Sequence, residues 1–193
     1  MDIVFATNNS NKLFEIKKLI KNPINILSLK DIKCFEEIPE TSNTLEGNAY
    51  LKSSHIFKKY GFNVFSDDSG LEIHALNGRP GVYSARYAGE NCNSTQNIKK
   101  VLEEMKNITN RTAIFRTIIS LIINGKETQF EGVVNGNIVL EEKGMNGFGY
   151  DPIFQPIGYD KTFAEMDLVE KNLVSHRSRA VKKLVDFLNN TFN

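Results

Sequence analysis

Two aspartates stand side by side in the string Phe65-Ser66-Asp67-Asp68-Ser69-Gly70-Leu71. Adjacent carboxylates repel each other unless a cation neutralises them. A hard divalent ion such as Mg²⁺ does so, because it takes oxygen ligands and usually bridges protein carboxylates to phosphates. It also leaves a free carboxylate able to take a proton from water. A polar turn, with one Asp accepting a local backbone N–H, accounts for the same string without chemistry. A second string, Thr7-Asn8-Asn9-Ser10-Asn11-Lys12, follows an apolar run and leads into a helical pattern. A strand, a small polar loop and a helix start present free N–H groups and the positive end of the dipole to an anion. Lys12 adds a point charge there, although the spacing is not that of a Walker loop.

Further chemistry-bearing residues lie outside these strings. Lys52 sits on a predicted helix, and Glu36, Glu37 and Glu40 fall in an acidic stretch at 34–41 that reads as a solvated loop. Gly144-Met145-Asn146-Gly147-Phe148-Gly149-Tyr150-Asp151-Pro152 combines glycines with two rings and an acid. Such a loop lets backbone approach a ligand and offers rings for stacking. Toward the C-terminus Glu170, Lys171, Ser175, His176, Arg177, Ser178 and Arg179 form a polar cluster.

The elements that must carry these residues follow from periodicity and turn chemistry. Residues 3–6 read as a buried strand. A helix opens at Lys12 and runs to about Lys21, with Leu13, Ile16, Leu19 and Ile20 on one face. Residues 24–29 suggest a second strand. Asn43 or Thr44 caps a helix ending at Gly61, with Glu46 placed for a capping box. Its apolar face is Leu45, Ala49, Ile56 and Tyr60, while Asn48 and Lys52 share another. The strand at 62–65 ends at the aspartate pair, and 71–76 alternates as a separate strand before turns at Asn77-Gly78 and Arg79-Pro80-Gly81. Asn93 caps a helix carrying Ile98, Val101, Leu102 and Met105. Segments 111–123, 128–134 and 138–140, separated by Asn124-Gly125 and Asn135-Gly136, predict an antiparallel meander. A short strand follows at 153–154. Residues 163–190 read as mostly helical, burying Ala180, Val181, Leu184, Val185 and Leu188.

The 193 residues fit a single domain over 1–193, or two small lobes sharing a core. A net charge of +1 argues against a large nucleic-acid footprint. Cys34 and Cys92, the two cysteines, suggest neither a zinc site nor a disulfide framework, so reduced thiols in a cytoplasmic protein are expected. The opening Asp2-Ile3-Val4-Phe5 is unlike a secretory leader, and the most apolar run, 118–123, is too short to span a bilayer.

Taken together, the strings resemble one family. Ala6-Thr7-Asn8-Asn9-Ser10-Asn11-Lys12, Glu40-Thr41, Asn48-Ala49 with Lys52, and Ser66-Asp67-Asp68-Ser69-Gly70-Leu71 are similar to motifs of the inosine triphosphate pyrophosphatases, the Ham1-like enzymes. So are Pro80-Gly81-Val82-Tyr83-Ser84-Ala85-Arg86-Tyr87, Gly147-Phe148-Gly149-Tyr150-Asp151-Pro152-Ile153-Phe154, and Glu170-Lys171 followed by Ser175-His176-Arg177. Their order and spacing cover nearly the whole chain. The resemblance implies an α/β fold with a long mixed central sheet and two lobes around a nucleotide cleft. It implies Mg²⁺-dependent hydrolysis of ITP, dITP and XTP to the monophosphate and pyrophosphate, cleansing the nucleotide pool, in a cytoplasmic homodimer; Mn²⁺ is a possible substitute ion. The family often has Gly where this chain has Asn8, a residue that tolerates positive φ better than most.

The resemblance also implies roles. Thr7, Asn8, Asn9, Ser10, Asn11 and Lys12 hold phosphates, Lys52 adds positive charge, and Ser69 contacts substrate. Glu40, Asp67 and Asp68 hold the metal, and Asp68 is the general base. Phe148 stacks on the purine beside Gly149 and Tyr150, and Asp151, Lys171, His176 and Arg177 surround the base edge. Two other readings stay open. One is a Maf-type pyrophosphatase acting on pyrimidine or modified nucleotides. The other is a nucleotide-binding module without turnover, which would not need the acidic set.

Overall fold

The computed structural model describes residues 1–20 and 24–192. Its elements in chain order are β1 (Asp2–Phe5), α1 (Ser10–Leu19), β2 (Asn25–Ser28), α2 (Leu45–Tyr60), β3 (Val64–Ile73) and β4 (Pro80–Gly81). They continue with α3 (Ser94–Glu104), β5 (Thr112–Ile123), β6 (Lys126–Ile138), β7 (Phe154–Pro156), α4 (Leu168–Val174) and α5 (His176–Phe192). The sheet order is β2-β1-β3-β5-β6-β7, with β4 on β3. β1 pairs parallel with β2 and β3, whereas β4 on β3 and β7 on β6 are antiparallel. The fold is therefore α/β with a mixed sheet. Among the described residues no helix is long and apolar enough to cross a membrane.

The chain divides into two compact units. The first comprises Met1–Asp68, Thr117–Gly132 and Arg177–Asn193. Side chains alternate across its strands. Ile3, Phe5 and Phe65 pack with Ile16 of α1 and Ala180, Val181 and Leu184 of α5. Val4, Ala6 and Val64 pack with Ile56 of α2. Helices thus cover both faces of this part of the sheet. Phe5 and Phe65 stack at 4.6 Å, a geometry worth ~0.5–1.5 kcal/mol beyond area burial. The second unit comprises Ser69–Arg116 and Val133–His176. Its core joins Leu71 and Ile73 of β3, Ile98 and Val101 of α3, Met105 just after it, Phe115 of β5 and Phe154 of β7.

Several expectations change. α1 starts at Ser10 rather than Lys12, because Asn9 is its cap; the predicted helix end at Lys21 lies outside the described residues. Thr44 caps α2 by accepting from Gly47 N at 3.0 Å, so Glu46 falls one position short of a capping box. The strands predicted at 62–65 and 71–76 are one strand, β3, and 74–76 is a 3₁₀ turn. Asn124 and Gly125 turn β5 into β6 with φ values of 50° and 81°, the positive pair a two-residue hairpin turn requires. Asn135-Gly136 makes no turn; β6 runs through it. A Cβ on Gly136 would lie 2.4 Å from the Phe154 ring, so this glycine permits the close approach of β7. The third meander strand is accordingly β7 and not 138–140. The C-terminal helical region begins at Leu168, capped by Asp167, and breaks at Ser175; Phe163 and Met166 ahead of it belong to the core.

Candidate functional site

In the first unit, alternation along β3 sends the two adjacent aspartates to opposite faces of the sheet. Phe65 and Asp67 face α1 and α5; Val64, Ser66 and Asp68 face α2, where Ser66 Oγ donates to the Ala49 carbonyl. The pair lies inside a strand and not at a strand end, because each side chain finds polar partners on its own face.

Asp67 is fully buried, with Oδ2 2.8 Å from Lys12 Nζ and 3.8 Å from Arg177 Nε. Arg177, 2% exposed at the start of α5, also donates from Nη1 to Glu15 Oε2 of α1. Burial penalises the Asp67 carboxylate, but Lys12, Arg177 and Lys52 together outweigh it and hold the group at about 2. On the other face, Lys52 Nζ of α2 lies 2.5 Å from Glu40 Oε1 and 3.5 Å from Asp68 Oδ1. Burial disfavours the Lys52 ammonium, but Asp68, Glu40 and Asp67 outweigh it and raise its pKa, so it stays charged. For Asp68 the balance is reversed. Burial, with repulsion from Glu40 and Asp67, exceeds the attraction of Lys52 and Lys12 and pushes its carboxyl up. Neighbouring carboxylates whose pKa values are driven apart mark a division of labour between a fixed charge and a base.

Asp68 Oδ2 is buried and has no hydrogen-bond partner among the described residues. A buried carboxylate oxygen in that state, beside a second carboxylate on Glu40, fits a hard cation that completes its shell with water and phosphate oxygens. Among the described residues no group of three or more His, Cys, Asp or Glu side chains could hold a metal ion. Asp67 stands apart from Glu40 and Asp68, committed to Lys12 and Arg177.

The loop before α1 is more self-contained than its sequence suggests. Asn9 Oδ1 accepts from Asn11 N at 3.0 Å and Lys12 N at 3.2 Å, and Thr7 Oγ1 accepts from Asn9 N at 3.2 Å. Asn8, Asn9, Ser10 and Asn11 are exposed, and Thr7 and Lys12 are half-buried. Asn8 is not in the left-handed region, so no glycine is needed there. Ser69, half-buried, is the next residue of β3 after the aspartates.

The second unit holds another cluster. Asp151 and Lys171 form an ion pair at 2.7 Å with both side chains 4% exposed. Asp151 Oδ2 also accepts from Phe148 N at 2.8 Å, and a Cβ on Gly147 would meet that oxygen at 2.1 Å. Glycine at 147 therefore lets the loop close over the carboxylate. Lys171 Nζ lies 5.0 Å from the half-buried Phe148 ring and 5.9 Å from Phe163. His176 stacks on Phe115 at 4.5 Å. Tyr150 is 5% exposed and its hydroxyl donates to the Ser84 carbonyl at 2.8 Å. Phe148, Asp151 and Lys171 are thus brought together, whereas Tyr150 braces the loop from below.

Sequence reasoning missed Glu15. Glu15 precedes the apolar Ile16 on α1 and reads as an ordinary helix-surface acid; its partner lies 162 positions away.

The Ham1 family model matches residues 3–187. The chain is 54% identical over 190 residues to the dITP/XTP pyrophosphatase of Flavobacterium psychrophilum, covering 98% of this chain and all of that one. It is 52% identical over 191 residues to the dITP/XTP pyrophosphatase of Flavobacterium johnsoniae, covering 99% and 100%. A solved Ham1 protein from Coxiella burnetii superposes with a TM-score of 0.92 at 39% identity, covering 99% of this chain and 100% of that one.

Proposed function

Because the chain belongs to the Ham1 family, we propose that it is a nucleoside triphosphate pyrophosphatase acting on the deaminated purine nucleotides dITP, ITP and XTP. It cleaves between the α- and β-phosphates. A water oxygen forms a bond to the α-phosphorus, the bond from that phosphorus to the bridging oxygen breaks, and pyrophosphate leaves with the electron pair. The monophosphate remains. The observation that carries this reading is the split of Asp67 and Asp68 across β3, which leaves one aspartate a fixed anion and the other with raised basicity beside Lys52.

Asp68 takes the proton from the attacking water; a raised pKa suits a base working near neutral pH. Lys52 holds Asp68 and Glu40 in place. Lys12 and the loop from Thr7 meet the phosphates, with Asp67 holding the Lys12 ammonium and the Arg177 guanidinium through charge. Ser69, next along β3, contacts substrate. Glu40 and Asp68 are the residues that would hold Mg²⁺, for which Mn²⁺ is a substitute. When bound, the ion neutralises phosphate charge and acidifies a bound water.

Phe148 stacks on the purine, and Asp151 keeps Lys171 charged and aimed. Hypoxanthine and xanthine carry a 6-oxo acceptor where adenine carries an amino donor. Donors such as Lys171 and His176 pair with the first and are stranded by the second; sites built this way discriminate by up to ~10⁴-fold or more. The enzyme acts on the cytoplasmic nucleotide pool as a homodimer.

Incubation with dITP, ITP, XTP, ATP, GTP and UTP plus Mg²⁺, with pyrophosphate and orthophosphate quantified separately, tests the reading. Pyrophosphate from the first three is expected. Equal turnover of ATP overturns the selectivity, orthophosphate as the product overturns the cleavage position, and preference for UTP favours the Maf-type reading.

A further inference from the structure

Glu40 is carried on a segment outside the helices and the sheet. Residues 34–44 contain neither helix nor strand. The segment is attached instead by side chains along α2. Glu36 Oε1 accepts from His55 Nε2 at 2.8 Å and from Tyr60 Oη at 3.2 Å, and its Oε2 accepts from Lys59 Nζ. Glu40 meets Lys52, Asn48 Oδ1 accepts from Ser42 N at 2.8 Å, and Thr44 caps the helix. As residue number rises along the strap, its partner's number falls along α2. The strap therefore runs back along the helix toward its N-terminus, with Ile38 packed against the core between the first two attachments.

Covalent reach does not fix Glu40. Four residues from Glu36 can span ~14 Å at ~3.5 Å each. The helix rise from residues 55–59 down to residue 52 is only ~5–10 Å at 1.5 Å per residue. The slack means that the Glu36 contacts, not chain length, set where the segment starts its return. Lys59, then His55, hold the Glu36 carboxyl at about 2, so it is ionised at any pH of interest. These partners are substantially exposed, and such pairs add little to global stability. Their consequence is local order in a strap without a hydrogen-bonded ladder.

We propose that Glu36 is a positioning residue: its clasp on His55, Lys59 and Tyr60 sets where Glu40 stands and so how tightly the protein takes its divalent ion. The proposal rests on the reading of Glu40 and Asp68 as the ion's holders. Glu37, exposed on the same strap, supplies a control of equal charge.

Three measurements on the 193-residue protein test it. Hydrogen exchange of segment 37–43 and Mn²⁺ binding by paramagnetic resonance use the nucleotide-free protein; Mg²⁺ titration of XTP hydrolysis uses the working enzyme. Glu36→Ala is expected to speed exchange across 37–43 and to raise the half-saturating Mg²⁺ and Mn²⁺ concentrations ~10-fold, the low end for loss of a residue supporting a ligand. Its kcat at saturating Mg²⁺ should match wild type. Glu36→Gln, which keeps an acceptor for Tyr60 and His55, should fall between, and Glu37→Ala should behave as wild type. Unchanged ion dependence in Glu36→Ala overturns the proposal, even if its melting temperature falls. So does an equal shift in Glu37→Ala, which would reveal a mere charge effect. A wild-type protein that cleaves no triphosphate refutes the proposed function instead, and leaves the exchange and Mn²⁺ measurements to judge the clasp.

Discussion

Asparagine at 67 and at 68 should move stability in opposite directions. Asp67 has a carboxyl at about 2 against an ordinary 3.8, so its folded environment favours the charge by nearly two pH units. At 1.36 kcal/mol per unit this is about 2 kcal/mol of stability at neutral pH. Asp67→Asn forfeits it. The true loss is larger to the extent that the Lys12 ammonium depends on Asp67, since breaking a buried pair costs ~3–5 kcal/mol, whereas Arg177 keeps its pair with Glu15. For a chain of this size about 2 kcal/mol corresponds to a fall of roughly 4–8 °C in Tm. Asp68 is the reverse case. Its pKa is raised, chiefly by burial, so the folded protein carries its charge at a cost above that pKa. Asp68→Asn removes the cost while Lys52 keeps Glu40, and Tm should rise. The same variant loses the base and should drop kcat at least ~10²-fold.

The assay is thermal unfolding of both variants and wild type in chelator, so that no bound ion interferes, from pH 7 down to pH 2, with XTP turnover measured alongside. Asp67's contribution is full above 3.8 and fades as pH falls from there to about 2. The gap between wild type and Asp67→Asn should therefore stay constant through neutral pH and close only at that acid edge. Asp68's penalty should vanish as pH falls through its raised pKa, closing the gap of opposite sign at higher pH. Equal losses of Tm in the two variants would refute the reasoning, since they would place both carboxylates in the same environment.

Lys171→Met removes the cation paired with the Asp151 carboxylate in a site where both side chains are 4% exposed, and should cost ~3–5 kcal/mol in urea unfolding. It should also raise KM for XTP, and Asp151→Asn added to it should recover part of the stability but not the KM. Gly136→Ala forces a methyl against the Phe154 ring and the Gln155 carbonyl, and should lose ~1–3 kcal/mol by the same measurement without altering the Mg²⁺ dependence.

The apolar framework was readable from periodicity: the face of α3, the buried run of β1 and the turn at Asn124-Gly125 all follow from local pattern. The departures fall where polar residues have partners far away in sequence. Asp67 to Gly70 look like a turn because a strand interior is not expected to carry two carboxylates. β3 continues through them because Lys12, Arg177 and Lys52 arrive from three helices to meet them. The acidic stretch at 34–41 looks solvated for the same reason: the partners of Glu36 and Glu40 lie on α2, 12 to 24 positions later. Asn135-Gly136 carries the same dipeptide as the true turn, yet its glycine answers to Phe154, which no local window contains. The Asn9 and Asp167 caps, by contrast, were open to local reading: both are favoured cap residues, and Glu170 follows Asp167 three places on in the usual helix-start spacing. A chain that buries this many charges pays in desolvation unless each meets its opposite. At Asp67, Asp68 and the 34–41 stretch, the places where patterning misreads this sequence are therefore places where ion pairs replace apolar contacts. In this protein they coincide with Asp67, Asp68, Glu40 and Lys52, the residues on which the proposed chemistry depends.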